Sequence, residues 1–282
     1  MPVSPSSTAQ AAREALGVRL SHIRQDAGLT GKELSARCGW HGAKTTRIQK
    51  GEAAPSDADI RIWCTVCGAE DQVDDLIATS RAVDSMYREW RRVLRSGLRQ
   101  HQEDVNTANA QASLQRVYVS NVVPGFLQTP AYATALLESI TTFQGTPNDV
   151  AEAVGARVAR SRFLYEGGHR YAVLIEEGVL RHRFGTAPEM AAQLRHLLTV
   201  MPLPSMSLGV IPFGAERLVW PLEAFYLFDD KHVVVETLTA QVNVTQPREL
   251  ADYAKAFAGL STMAVYGDHA RALINSAITA LG

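Results

Sequence analysis

The chain has 282 residues, with 28 Lys plus Arg against 29 Asp plus Glu and a net charge of -1. It is therefore no polycation that holds nucleic acid by charge alone, and any such contact must be local and shaped. At 46% hydrophobic and 20% charged residues, fibrous, low-complexity and wholly disordered classes are excluded, and the length suits two compact domains or one large one.

Met1 to Ala12 has no apolar signal core, and residues 1–14 read as a disordered lead-in. Leu16, Leu20, Ile23 and Ala27 then recur at three- and four-residue steps and stop at Gly28, the pattern of one helix with a glycine past its end. Thr30-Gly-Lys-Glu33 is a capping box that starts a second helix, whose apolar positions Leu34 and Cys38 end at Gly39. A third short helix is expected over His41 to Lys50, with Thr45 and Ile48 inward, and Pro55-Ser56-Asp57 punctuates before a fourth carrying Ile60, Trp63, Cys64 and Cys67.

Residues 30 to 50 thus form a helix, tight turn, helix unit. A short helix that enters a major groove about 12 Å wide needs small or polar side chains at its leading end and cations toward the backbones. His41, Gly42, Ala43, Lys44, Thr46, Arg47 and Lys50 supply both, with no acidic residue among them. The amides that open the second helix, with Lys32 and the Thr30 hydroxyl, offer a phosphate contact. By pattern alone, a helical protein-interaction bundle with a solvated third helix remains open.

Cysteines are confined to Cys38, Cys64 and Cys67, an odd number too small for a disulfide-built fold, so a reducing, cytoplasmic compartment is expected. Cys64-Thr-Val-Cys67 has half-knuckle spacing, but no second ligand pair follows and it lies in an apolar helical pattern, so buried packing rather than metal or redox use is expected. Nowhere do eighteen apolar residues run together, and no membrane span is expected.

The run Leu20-x-x-Ile23-Arg24-x-x-x-Gly28-Leu29-Thr30-x-x-Glu33-Leu34-Ser35-x-x-Cys38-Gly39-Trp40, then Thr46-Arg47-Ile48-x-x-Gly51 and Pro55-Ser56, resembles the phage-repressor (Cro/C1, XRE-type) helix-turn-helix family. The resemblance implies a recognition helix at His41 to Lys50, base reading by Gly42, Ala43, Lys44 and Thr46 or Arg47, and phosphate contacts from Thr30 and Lys32. Two departures stand out. Gly42 replaces the usual Gln or Ser, which removes one expected adenine-reading amide, and the family's Arg-to-Glu pair between helices one and three falls on Arg24 and Gln49, where a hydrogen bond replaces a salt bridge.

Asp71 to Leu98 reads as continuing helix, with Arg88, Arg91, Arg92, Arg95 and Arg99 gathered near its end. Gln100 to Ala112 has no apolar period and reads as a linker or a weakly packed helix extension. From Leu114 the period changes: strands are expected at 115–120, 171–176, 206–211, 224–228 and 232–238, and helices from about 131 and over 149–164, 187–198, 248–260 and 268–281. The fold class is a mainly α helix-turn-helix domain at 15–76, a helical connector at 77–113 and an α+β domain at 114–282.

The second half carries Val123-Pro-Gly-Phe-Leu-Gln-Thr-Pro-Ala-Tyr-Ala133, Ala156-Arg-x-x-Arg160, Glu176-Glu-Gly-Val-Leu180, Gln193-Leu-Arg-His-Leu197, Val210-Ile-Pro-Phe213 and Val235-Glu-Thr-Leu238. It resembles the DUF5753-like domain of uncharacterised function that follows the helix-turn-helix in actinobacterial regulators of the Scr1/WhiJ-like type. That resemblance implies a small acidic partner protein or a small-molecule effector. No HExxH or GxSxG spacing accompanies its histidines and serines, and Glu176 and Glu177 would face opposite ways on a strand, so no enzyme, no metal and no cofactor are expected. Glu176, Arg181, Arg195, His196 and Glu236 are the candidates to border a ligand or partner cleft. The expected function is a sequence-specific DNA-binding transcriptional regulator, dimeric on inverted half-sites of double-stranded DNA. The alternative is an antitoxin-like module that neutralises, or is controlled by, a neighbouring-gene partner.

Overall fold

The computed structural model describes residues 5–95 and 97–282; the side chains of residues 5–9, 82, 84–89, 91, 92 and 108 are outside that description. The chain divides into two compact units between Arg88 and Glu89.

The first unit is all helical, with α1 (Pro5–Asp26), α2 (Gly31–Cys38), α3 (Gly42–Gln49), α4 (Asp57–Cys67), a 3-10 turn (Glu70–Gln72) and α5 (Val73–Met86). Its core joins Leu16, Leu20 and Ile23 of α1 to Leu34, Ile48, Ile60, Trp63, Cys64 and Leu76. These are the apolar positions that helical spacing predicts. Helix α1 crosses α3 where it has no side chain, because a Cβ on Gly17 would lie 2.5 Å from the Gln49 carbonyl oxygen. The expected cap at Thr30 forms, and the structure adds another at Ser56. Thr30 and Glu33 bond reciprocally at 3.2 and 2.7 Å, and Ser56 and Asp59 make a second capping box ahead of α4.

Two expectations in this part are corrected. Residues 5–14, read as a disordered lead-in, belong to α1, since Ala-rich sequence has high helix propensity without an apolar stripe. The helix expected over Asp71 to Leu98 breaks after Met86 into β1 (Tyr87–Glu89) and the four-residue α6 (Trp90–Val93). The Arg88, Arg91 and Arg92 side chains of the expected basic cluster lie outside the described residues.

The second unit continues with α7 (Arg99–Gln111), β2 (Leu114–Val119), α8 (Pro130–Gln144), α9 (Val150–Ala159), β3 (Arg170–Glu176), α10 (Ala187–Val200), β4 (Met206–Ile211), β5 (Phe225–Phe228), β6 (His232–Glu236), β7 (Ala240–Val244), α11 (Pro247–Met263) and α12 (Gly267–Thr279). Within the second unit the sheet order is β7-β6-β5-β2-β3-β4. Strands β2, β3 and β4 are parallel, while β2, β5, β6 and β7 pair antiparallel. This is a mixed α/β architecture. The β5–β6 turn places Asp229 and Asp230 at φ 47° and 56°, as a tight hairpin turn requires. The Asp229 carboxylate then accepts from the Ser113 and Leu114 amides at 3.1 and 2.7 Å, fixing the start of β2.

Val173, Val117, Tyr226 and Val234 are in register across β3, β2, β5 and β6, so they share one face of the sheet. On that face, α8, α10 and α12 close an apolar core over β2, β3 and β4. Helix α11 covers the other face, where Tyr253 meets Phe225 edge-on at 5.0 Å between ring centroids. Strand β7 was not foreseen, because Ala-Gln-Val-Asn-Val alternates in short polar and apolar steps without an aromatic or a long branched run. Helix α7 is a packed helix, correcting the weaker linker reading. Its inward side is polar, with His101, Gln102 and Asn109 buried, which is why no apolar period shows.

Candidate nucleic-acid interface

The helix-turn-helix is locked by a buried hydroxyl pair. Ser35 Oγ donates to the Gly31 carbonyl at 2.7 Å, so Thr45 must be the donor in the 2.7 Å bond between Thr45 Oγ1 and Ser35 Oγ. With Thr45 and Ile48 turned inward, the opposite side of α3 faces water, and His41, Gly42, Ala43, Lys44, Thr46, Arg47 and Lys50 are all exposed. Gly39, at φ 70°, reverses the chain between α2 and α3. Thr30 and Lys32, at the start of α2, are exposed as well.

These residues differ in how free they are. The His41 ring nitrogen caps α3 by accepting from the Ala43 amide at 3.3 Å, and Thr46 Oγ1 donates back to the Gly42 carbonyl at 3.3 Å. Thr30 Oγ1 is an acceptor in the capping box, which leaves its own proton to donate outward. Hydrogen bonds from Thr30 hold the Glu33 carboxyl below its ordinary range. Lys44 is engaged within the chain: its Nζ lies 2.6 Å from Asp59 Oδ1 and 4.5 Å from the centre of the Trp40 ring. Burial alone raises the Asp59 carboxyl, but hydrogen bonds from Lys44 and Ser56 more than reverse this and leave it lowered. Lys32, Arg47 and Lys50, by contrast, meet no hydrogen-bond or ion-pair partner among the described residues.

The expected bond between Arg24 and Gln49 is absent. Arg24 Nη1 donates instead to the Leu29 carbonyl at the end of α1, and Gln49 Nε2 has no hydrogen-bond partner. Cys64 is packed in the core, where burial pushes its thiol up to about 11, which disfavours the thiolate that metal binding needs.

In the second unit the five candidate residues do not share a cleft. Glu176 lies on the face covered by α11, where Arg217 grips it with two 2.7 Å bonds and the Tyr118 hydroxyl donates at 3.0 Å. Arg181 is tied to Glu177 at 2.9 Å, and Glu177 also accepts from the Phe213 amide. Arg195 and His196 are on α10, with burial lowering the His196 ring. Glu236 falls on the opposite sheet face, in the pleat of Val234 and Tyr226. Strand alternation therefore separates the two glutamates.

What sequence reasoning missed is a pair of arginines near Glu236. Arg157 Nε donates to Gln102 Oε1 and Nη1 to Gln128 Oε1, both at 3.0 Å. Arg160 Nε donates to Asn106 Oδ1 at 2.7 Å, and Nη2 to Gln102 Oε1 at 2.9 Å. The signal was present, since Val150, Ala153 and Val154 form an inward stripe that Arg157 and Arg160 continue at helical spacing.

Among the described residues, no helix is long and apolar enough to cross a membrane. Residues 15–76 match the family described as a helix-turn-helix domain, and residues 102–276 match the one described as a domain of unknown function, DUF5753. Curated proteins give no match. Among solved structures, the chain is similar to TrmBL2, an archaeal chromatin protein described as showing a novel mode of DNA binding, at 12% identity, covering 85% of this chain and 88% of that one, with a TM-score of 0.32. That likeness is too loose to establish a shared fold.

Proposed function

The chain belongs to the DUF5753 family and carries an XRE/Cro-type helix-turn-helix domain at its amino end, and from that premise we propose that it is a sequence-specific transcriptional regulator that reads double-stranded DNA with α3. The observation that carries this reading is the sorting of α3: Thr45 and Ile48 are buried, while the small residues Gly42 and Ala43 lead an exposed face that ends in the unpaired cations Arg47 and Lys50. Small leading side chains let the backbone approach base edges, and cations behind them meet the phosphates. Lys32 and the α2 amides not used by the capping box supply a contact on the same strand of backbone. Lys44 acts first as a strut to α4, and reaches a base or phosphate only by exchanging Asp59 for it.

An eight-residue recognition helix spans few base pairs, so discrimination calls for two copies on inverted half-sites about one helical turn apart. The domain at 102–276 then supplies the dimer surface, the effector site or both. Selection of bound fragments from a random duplex library tests the proposal, with Lys32→Ala/Arg47→Ala protein as the control. Recovery of an inverted repeat by the wild type alone is the expected result. Equal enrichment by both proteins, each shown to be folded, overturns the assignment to α3.

A further inference from the structure

Arg157 and Arg160 stand where a charged side chain is costly. Arg160 is only 6% exposed. Burial lowers both guanidiniums, Arg160 down to about 10 with the neighbouring Arg157 charge adding to the effect. Their direct partners are amide and carbonyl oxygens from Gln102, Asn106 and Gln128. These satisfy hydrogen bonds and hold the two planes in fixed directions, yet they supply no negative charge. Both arginines lean on the single Gln102 Oε1.

Each guanidinium keeps a terminal nitrogen outside this network, Nη2 of Arg157 and Nη1 of Arg160, and neither has a partner among the described residues. Gly125 leaves room there, since a Cβ at that position would lie 3.3 Å from Arg160 Nη1. The Tyr226 hydroxyl lies against the Gly125 backbone. Glu236, on the same sheet face as Tyr226, is exposed and makes no side-chain hydrogen bond or ion pair among the described residues; desolvation raises its carboxyl, and the charges of Arg157 and Arg160 act against that rise. One step down the same pleat as Val117, which is in register with Tyr226, Gln115 is 1% exposed with neither amide atom hydrogen-bonded. Fixed donors, two cations whose direct hydrogen-bond partners are all neutral, and one acceptor on the same sheet face as Tyr226 are the parts of a polar small-molecule site.

We infer that the region between the end of α9, the Gly125 turn and the exposed end of β6 binds a small molecule through its carboxylate or phosphate oxygens. Nη2 of Arg157 and Nη1 of Arg160 receive the anionic group, and Glu236 accepts from a donor group on the same ligand. The site lies wholly in the second unit, and it goes beyond the DNA reading without depending on it.

The test is calorimetric titration of the DNA-free, full-length protein with inorganic phosphate and, separately, acetate, at ionic strength held constant with chloride. One saturable site per chain is expected, and the tighter of the two anions tells phosphate from carboxylate. Glu236→Gln removes the opposing negative charge and tightens binding, by roughly threefold. Arg157→Lys keeps the charge but loses the fork, and weakens binding about tenfold in a protein with an unchanged circular dichroism spectrum. Arg47→Ala reports on the other cationic surface. Absence of saturable binding, loss of binding in Arg47→Ala, or equal affinity in Glu236→Gln and Arg157→Lys would each overturn the inference.

Discussion

The two units use arginine and lysine in opposite ways. On α3 the cations stand in water at the edge of a packed domain: Arg47 and Lys50 are unpaired, and Lys44 is balanced by Asp59. At the end of α9 the cations Arg157 and Arg160 are drawn inward and aimed by neutral amides. Long, hydrated side chains suit a large polyanion, because they are cheap to expose and adjust to a regular phosphate array. Immobilised guanidiniums suit a small ligand, because their direction is settled before it arrives. Position relative to the core, and not residue type, sets the partner each surface can take.

The largest test of this contrast is Arg160→Ala. It leaves Gln102 and Asn106 facing a void and should cost the second unit roughly 2–4 kcal/mol in urea unfolding; a loss within the noise of the wild type would show that these arginines are solvated like those on α3. Next comes Gly17→Ala, which drives a Cβ into the Gln49 and Ile48 carbonyls at 2.5 and 2.7 Å. The rigid backbone contact makes about 1–3 kcal/mol the expected loss for the first unit, and a melting temperature at the wild-type value would deny that α1 fixes the position of α3.

The fold was largely legible because its elements obey local rules. The capping box at Thr30, the glycine stops at Gly28 and Gly39, and the alternation in β2 to β6 are visible in sequence and recur in the structure. Helix α7 was obscure for the reason that makes it informative: its inward side is amides and a histidine, and its Gln102 and Asn106 accept from Arg157 and Arg160, which are some fifty residues away in sequence. The exposed face of α3 could be read from helical spacing. The state of Lys44 could not, since its partner Asp59 is on another helix. Likewise, placing Glu176 and Glu236 on opposite faces required knowing the sheet register.

Two smaller effects sharpen the comparison. Lys32→Ala should lower the slope of log affinity against log salt by about one unit, with little change in sequence preference; an unchanged slope would remove Lys32 from the phosphate contact. Lys44→Ala should cost less than about 1 kcal/mol, as an exposed ion pair does. Because the Asp59 carboxyl is lowered in the folded protein, its contribution is present above the unfolded carboxyl value and is lost as pH falls through the folded one. The gap in melting temperature between wild type and Lys44→Ala should therefore close below about pH 4. A gap that persists there would assign the effect to packing on Trp40.

The most direct measurement is titration of one selected duplex with wild-type and Arg47→Ala protein, alongside melting curves of both. An affinity loss of about tenfold or more with unchanged melting is the predicted result for a surface cation that meets DNA. Equal affinity in the two folded proteins would contradict DNA reading by the exposed face of α3.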